Sequence, residues 1–339
     1  MTLLVRTERG LYCQPGDFYV DPWQPVPRAV VTHAHGDHLS PGCDAYLVAE
    51  PGLALARARV PAGLIDSVAY GGTRTIGGVT LSLHPAGHIL GSAQVRIEHR
   101  GEVWVVSGDY KTVPDPTCAA YEVVSAHVFI TECTFGLPIY RWPAESSVRD
   151  EILAWQAANR SAGRASILFA YPLGKSQRLL ALLGEFQGPI WTHGAVESMT
   201  ALYRDAGIRL PLTVPVSSAP ERSDWPDGFV LGPPSAQSSA WLRRFGEQRL
   251  AFASGWMLVR GARRRRNVDR GFALSDHVDW PALLAAIEAT GASRVFATHG
   301  FSHELAHYLI DRGLDAGTIA THWEGEEDDA SENAPENPG

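Results

Sequence analysis

Residues 30–38 read VVTHAHGDH and set His33, His35, Asp37 and His38 directly behind an apolar run. Imidazole and carboxylate are ligands of Zn²⁺, and Mn²⁺ accepts the same mixture. Four such side chains in six positions on a tight loop serve no packing purpose. Alternate residues can face one ion while the following pair faces another, so the chemistry within reach is metal-assisted. A second signal is cationic: Arg260, Arg263, Arg264, Arg265, Arg266 and Arg270 fall within eleven residues. Guanidinium suits phosphate because it is planar, always charged and bidentate, although a solvated loop is the competing reading. A third is YPLGKSQRLL, which places Gly174, Lys175 and Ser176 between an expected strand and an expected helix. Backbone N–H groups there, with the Lys175 charge, would seat a terminal phosphate; an ordinary strand–helix turn competes, and the Walker spacing is absent. His193, in WTHGAVE, is read as capping or packing before substrate contact. His303 and His307 are read as helix-surface residues, since His307 comes one residue late for an HExxH.

Short β segments must carry the histidine loop. Strands are expected at 29–32, 79–84, 94–98, 103–107 and 128–132, separated by Gly and Pro turns. Val103–Val106 is apolar throughout, which predicts a strand buried on both faces. After about Ser146 helical periodicity alternates with short apolar strands: a strand at 167–170 and helices at 175–185 and 195–206 predict a parallel α/β unit. Residues 210–234 hold six prolines and read as loop. From 272 the rhythm is strand 272–274, helix 280–289, strand 295–298, helix 303–311. The result is a discontinuous domain with an α/β insertion.

A chain of 339 residues is long enough for about two domains at roughly 150 residues each. Its 45% hydrophobic and 19% charged residues exclude a fibrous or mostly disordered chain. No apolar run approaches the ~20 residues of a membrane span, and Arg6, Glu8 and Arg9 interrupt any signal peptide. Cys13, Cys43, Cys118 and Cys133 are far apart and read as reduced thiols, so a cytoplasmic protein without a membrane partner is expected. The formal charge of −8 is concentrated: removing the seven acids of the last sixteen residues leaves the body at −1. That tail, 324–339, is expected to be disordered.

The loop resembles the HxHxDH motif of the metallo-β-lactamase superfamily, and further pieces follow in the superfamily's order. Asp21 in FYVDPW resembles its early aspartate, which supports the metal loop from behind. His88 in PAGHILGSAQ resembles the third motif, and Asp109 in VVSGDYK the fourth. Glu132 in FITECTFG, His277 in ALSDHVDW and His299 in FATHG resemble motifs A, B and C of the β-CASP nuclease branch. The resemblance implies an α/β fold, an αββα sandwich from 1–142 and 272–323, with a β-CASP domain inserted at 143–271 over the metal site. It implies two divalent ions, Zn²⁺ bound and Mn²⁺ as a possible working ion. One would take His33, His35 and His88, the other Asp37, His38 and His299, with Asp109 bridging.

Asp37, Glu132 and His277 are the catalytic candidates, His277 as general acid with Glu132 fixing its tautomer. Lys111 and Arg263–Arg266 are the substrate-facing candidates beside Gly174, Lys175 and Ser176. GARRRRNVDRGFALSDHVDWPALL and YPLGKSQRLL look like the bacterial DNA-ligase-associated exonucleases. They imply a single-strand DNA exonuclease directed at 5′ ends, in DNA repair, with a ligase or repair protein as partner. His299 is shared with RNA-processing members, so an RNA-processing nuclease is the alternative. A lactonase- or glyoxalase-type hydrolase comes third.

Overall fold

The computed structural model describes residues 2–220 and 224–321. They form two compact units: one runs to Arg141 and resumes at His277, the other is Trp142–Asp276. The acidic tail at 324–339 lies outside the described residues.

The first unit opens with a sheet of β1 (Leu4–Thr7), β2 (Gly10–Cys13), β3 (Phe18–Val20), β4 (Arg28–Val30), β5 (Ala45–Ala49) and β6 (Ile65–Val68), in that spatial order. The first three pair antiparallel, while β3 to β6 run parallel, with helix α1 (Leu53–Arg59) between the last two strands. A second sheet begins with β7 (Thr73–Ile76), β8 (Val79–Pro85), β9 (Ala93–His99), β10 (Glu102–Val106) and β11 (Val128–Glu132).

The second unit has its own sheet of β12 (Ala165–Phe169), β13 (Ile190–Thr192), β14 (Val214–Pro215), β15 (Phe229–Gly232), β16 (Gln248–Ala253) and β17 (Arg270–Phe272). All its pairings are parallel, in the order β14-β13-β15-β12-β16-β17. Its helices are α2 (Glu145–Ser161), α3 (Lys175–Leu182), α4 (Gly194–Asp205) and α5 (Arg260–Arg265). The chain then returns to the first unit with α6 (Trp280–Thr290), β18 (Arg294–Thr298), α7 (Ser302–Ile310) and β19 (Asp315–Thr318). These last two strands extend the second sheet beside β11.

Burial explains the layering of the first unit. Phe18, Val20, Val30 and Leu47 of the first sheet share one core with Leu81, Val95, Trp104 and Ile130 of the second. The opposite face of the second sheet, through Val105, Phe129 and Val295, is covered by Trp280, Leu283, Ile287, Leu305 and Leu309 of α6 and α7. Central strands sealed on both faces read as apolar runs, as β10 and β11 do. Because β10, β11 and β18 run parallel, their C-terminal ends emerge side by side, and those ends carry Asp109, Glu132 and His299. Among the described residues no helix is long and apolar enough to cross a membrane.

Three expectations shift. The strand expected at 29–32 ends at Val30, because the Thr32 N–H is taken by Asp21 Oδ1 at 2.8 Å. The Pro-rich stretch contains β15, whose four residues are all buried; a run that short shows no period. The last strand of the second unit is Arg270–Phe272, with Phe272 and Leu274 in that unit's core, so the unit continues past Gly271 to Asp276.

Candidate metal centre

The loop after β4 turns His33, His35, Asp37 and His38 inward, and each imidazole of the three is buried. His88 comes from the β8–β9 loop, where its N–H donates to Ser92 Oγ at 3.1 Å. His33, His35, His88 and Asp109 bring four ligand-type atoms within 4.8 Å of one another, and Asp37, His38 and His299 bring three. Asp109 faces both groups: its Oδ2 lies 3.6 Å from His33 Nε2, 3.8 Å from His88 Nε2 and 3.5 Å from His38 Nε2. His35 Nδ1 is 3.0 Å from His33 Nε2 and 3.1 Å from His88 Nε2. A tetrahedral shell with ~2.0–2.1 Å bonds has edges of about 3.3–3.4 Å, and these separations straddle that value. Asp37 Oδ1 and His38 Nε2 are buried without a hydrogen-bond partner among the described residues, as unspent ligand atoms would be. The clusters are therefore able to hold divalent ions.

Hydrogen bonding behind the ligands fixes which ring nitrogen stays open. Asp21 Oδ2 accepts from His38 Nδ1 at 2.7 Å and from Thr32 Oγ1 at 2.6 Å. With its one proton given to Asp21, the Thr32 hydroxyl can only accept from His33 Nδ1, 3.0 Å away. Both rings thereby donate through Nδ1 and turn Nε2 to the Asp109 side, where a bound ion would take the place of the proton that the carboxylates favour on His38. Thr298 repeats the device with His299, at 2.9 Å from Nδ1. Asp21 and His299 hold positive φ angles of 43° and 56°, rare for residues with a Cβ, so the surrounding structure forces both turns. Burial raises the Asp109 and Asp37 carboxyls, but the facing imidazoles, His38 foremost, outweigh it and hold both low. Burial lowers His33 and His299. His38 goes the other way: burial lowers it, and Asp37, Asp109 and Asp21 more than reverse that. Ionised carboxylates in a dry pocket attract cations.

Thr32 and Thr298 carried no signal in the sequence beyond a hydroxyl following an apolar run. Thr32→Val should weaken divalent-ion affinity by about 10–100-fold, read by titration against a competing chelator. Unchanged affinity would reduce Thr32 to packing.

Glu132, at the end of β11, is buried and accepts from the Tyr110 N–H at 2.9 Å and from Thr134 Oγ1 at 2.6 Å. His277 Nδ1 lies 2.9 Å from both of its oxygens. Asp109, Glu132 and His277 also fall within the 4.8 Å spacing, so this pair adjoins the ligand clusters. Two residues after His277, Asp279 caps α6 by accepting from the Ala282 N–H at 3.1 Å, which anchors the loop. Thr134 was the residue missed here.

The substrate-facing candidates separate. Lys111 is buried, its N–H bonded to the Ala86 carbonyl and its own carbonyl packed against Gly87. Arg264 and Arg265 are exposed, and the Arg266 guanidinium lies 4.9 Å from the Phe252 ring centroid; the Arg263 side chain lies outside the described residues. The expected phosphate seat is corrected. Gly174 N–H donates to Gln177 Oε1, Lys175 N–H to Leu173 O and Ser176 N–H to Tyr171 O, so these donors are spent locally. Lys175 is wholly buried, its Nζ 2.8 Å from Asp276 Oδ1. His193 caps α4, accepting from the Ala195 N–H.

No family model matches the chain. It is 36% identical over 321 residues to a "Probable DNA ligase" of Opitutus terrae, across 93% of this chain and 31% of that protein. Shorter matches include Endoribonuclease YSH1 of Gibberella zeae, 33% identical over 37% of this chain and 15% of that one. An RNase J-like protein of Methanocaldococcus jannaschii is 25% identical over 37% of this chain and 32% of that one. The chain thus spans a third or less of the length of these relatives. A solved structure of a protein of unknown function from Enterococcus faecalis V583 superposes with a TM-score of 0.58 over 88% of this chain and 80% of that one, at 11% identity, a likeness of fold alone. On these matches, together with the ligand clusters that its own strand ends display, the chain belongs to the β-CASP branch of the metallo-β-lactamase superfamily.

Proposed function

We propose that the chain is a metal-dependent phosphodiesterase, specifically a single-strand DNA exonuclease working from 5′ ends. In this reading the first unit is the αββα sandwich and the second the β-CASP domain. The observation that carries it is the His277–Glu132 pair, at 2.9 Å, beside Asp109. Hydrolysis of a phosphodiester asks for stabilised charge at phosphorus and a proton for the departing alkoxide. Divalent ions held by the two ligand sets, Zn²⁺ first and Mn²⁺ as an alternative, would polarise the phosphoryl oxygen and acidify water. Glu132 accepts from Nδ1, so the proton available for delivery sits on His277 Nε2, and the carboxylate favours the charged ring. Exposed Arg264 and Arg265 are proposed to hold the strand through its phosphates.

The DNA reading draws on the relative named as a probable DNA ligase, aligned along nearly the whole chain, and so does a ligase or repair partner. RNA is the second reading, favoured by His299 and by the relatives named as ribonucleases. Single-stranded DNA and RNA of one sequence, each with a 5′-phosphate or 5′-hydroxyl and labelled at either end, decide between them in Zn²⁺ and in Mn²⁺. Stepwise loss of nucleotides from the 5′ end of DNA, with RNA intact, is expected. Cleavage of RNA with DNA spared would replace the first reading by the second.

A further inference from the structure

We propose that Cys133 is a positioning residue for the ligand set of Asp37, His38 and His299, acting through His299. The inference rests on the reading of those three side chains as one ion's ligands, and every residue in it belongs to the first unit. Where β18 leaves its sheet, two successive residues turn left-handed: His299 at φ +56° and Gly300 at φ +57°. Glycine adopts that conformation freely, but a histidine resists it, so the turn has to be held from outside.

Cys133 holds it at three points. β11 and β18 pair with Glu132 opposite Thr298, so Cys133 stands where the turn begins. Its N–H donates to the Thr298 carbonyl at 3.0 Å, and its carbonyl accepts from the Phe301 N–H at 3.1 Å, which grips both ends. The thiol grips the middle. Sγ lies 2.9 Å from the His299 carbonyl oxygen and 3.3 Å from that of Thr298. Carbonyl oxygens only accept, so the sulfur is the donor, and His299 is its nearer acceptor. Gly300 packs so closely that a Cβ there would stand 2.5 Å from the Cys133 oxygen. Cys133 itself is 0% exposed, in one core with Phe129, Val295 and Leu305, so the clamp has a rigid base. The ring is fixed separately: Thr298 Oγ1 is 2.9 Å from Nδ1, and the ring stacks on His38 with centroids 5.3 Å apart. Thr298 thus sets the rotation of the imidazole, and Cys133 the backbone from which it projects. Metal–nitrogen bonds tolerate only about 0.2 Å, so a small shift of that backbone weakens the set that contains His299. His33, His35 and His88 stand on other loops and keep their geometry.

The test reads metal binding and not turnover, so a failure of the nuclease reading would leave it standing. Full-length wild type, Cys133→Ala, Cys133→Ser, His299→Ala and the double variant Cys133→Ala with His299→Ala are stripped of metal. Each is then titrated with Zn²⁺ against a chromophoric chelator. Wild type should take up two ions per chain, and His299→Ala should lose affinity in one of the two steps. Cys133→Ala should weaken that same step by about tenfold and leave the other within about twofold. Cys133→Ser, whose hydroxyl restores a donor, should return to within about twofold of wild type. The double variant should bind no more weakly than His299→Ala, since residues acting as one unit are not additive. Should Cys133→Ala fail to fold, Cys133→Val, which fills the space without a donor, takes its place with the same expected result. Equal weakening of both steps, a serine variant as weak as the alanine one, or additivity with His299→Ala would reduce Cys133 to packing. Unchanged affinity in Cys133→Ala would overturn the inference outright. If His299→Ala leaves both steps intact, or wild type binds a single ion, the two-set reading falls and takes this inference with it.

Discussion

His277→Ala is expected to abolish turnover of ordinary phosphodiesters while the protein keeps its full metal complement. The size of the effect follows from what the ring supplies. A positioned acid contributes about 10²–10⁴-fold, and an alkoxide is a poor enough leaving group to need all of it. An aryl phosphodiester releases a stabilised phenolate, so the same variant should keep that activity to within about tenfold. Metal content should hold because the two ligand clusters sharing Asp109 are complete without His277. Glu132 would lose its imidazole but retain the Tyr110 N–H and Thr134 hydroxyl, which limits the penalty of leaving a buried carboxylate less satisfied. Turnover of both substrates, together with ions counted per chain by mass spectrometry, checks the expectation. Parallel loss on the two substrates, or a fall in bound metal, would show that the ring serves ligation or folding instead of proton delivery.

The parts of the site differ in how plainly the sequence announced them, and the reasons are physical. His33, His35, Asp37 and His38 share one loop, so ligand chemistry is concentrated within hydrogen-bonding range along the chain itself. His88, Asp109 and His299 are single residues at separate strand ends, legible only through their order; the parallel β10, β11 and β18 bring the latter two together. Thr32 and Thr134 were invisible because a threonine at a strand end looks the same whether its hydroxyl meets water or a carboxylate. Lys175 was misread for a related reason. A cation at a helix start, beside Gly and Ser, predicts an anion nearby, and the sequence does not say that the anion is Asp276 of the same unit. In the fold, the long apolar and periodic elements were found, and those that escaped, such as β15 and the first three strands, are too short to establish a period.

Asp109→Asn should remove more function than any other single change, and on every substrate. The amide keeps the size of the carboxylate, so packing against its neighbours survives; what disappears is one negative charge shared by both clusters. Neither group of imidazoles is then balanced at its shared edge. At least one ion per chain should be lost at micromolar metal, with hydrolysis of DNA and of bis(p-nitrophenyl) phosphate both reduced by more than about 100-fold. That exceeds the 10–100-fold typical of losing a partner outside the coordination shell. Stability offers an independent readout. An ion that binds only the folded chain stabilises it by about 2.7 kcal/mol at 100 times its Kd, and a site weakened 100-fold forfeits nearly all of that. The rise in Tm on adding Zn²⁺ should therefore shrink in the variant. Without metal the variant should melt lower than wild type at neutral pH, since the attraction between ionised Asp109 and the facing imidazoles, His38 foremost, is lost with the charge. Wild-type metal content and activity in Asp109→Asn would mean that the two clusters do not share a carboxylate, and the two-ion site would have to be redrawn around Asp37.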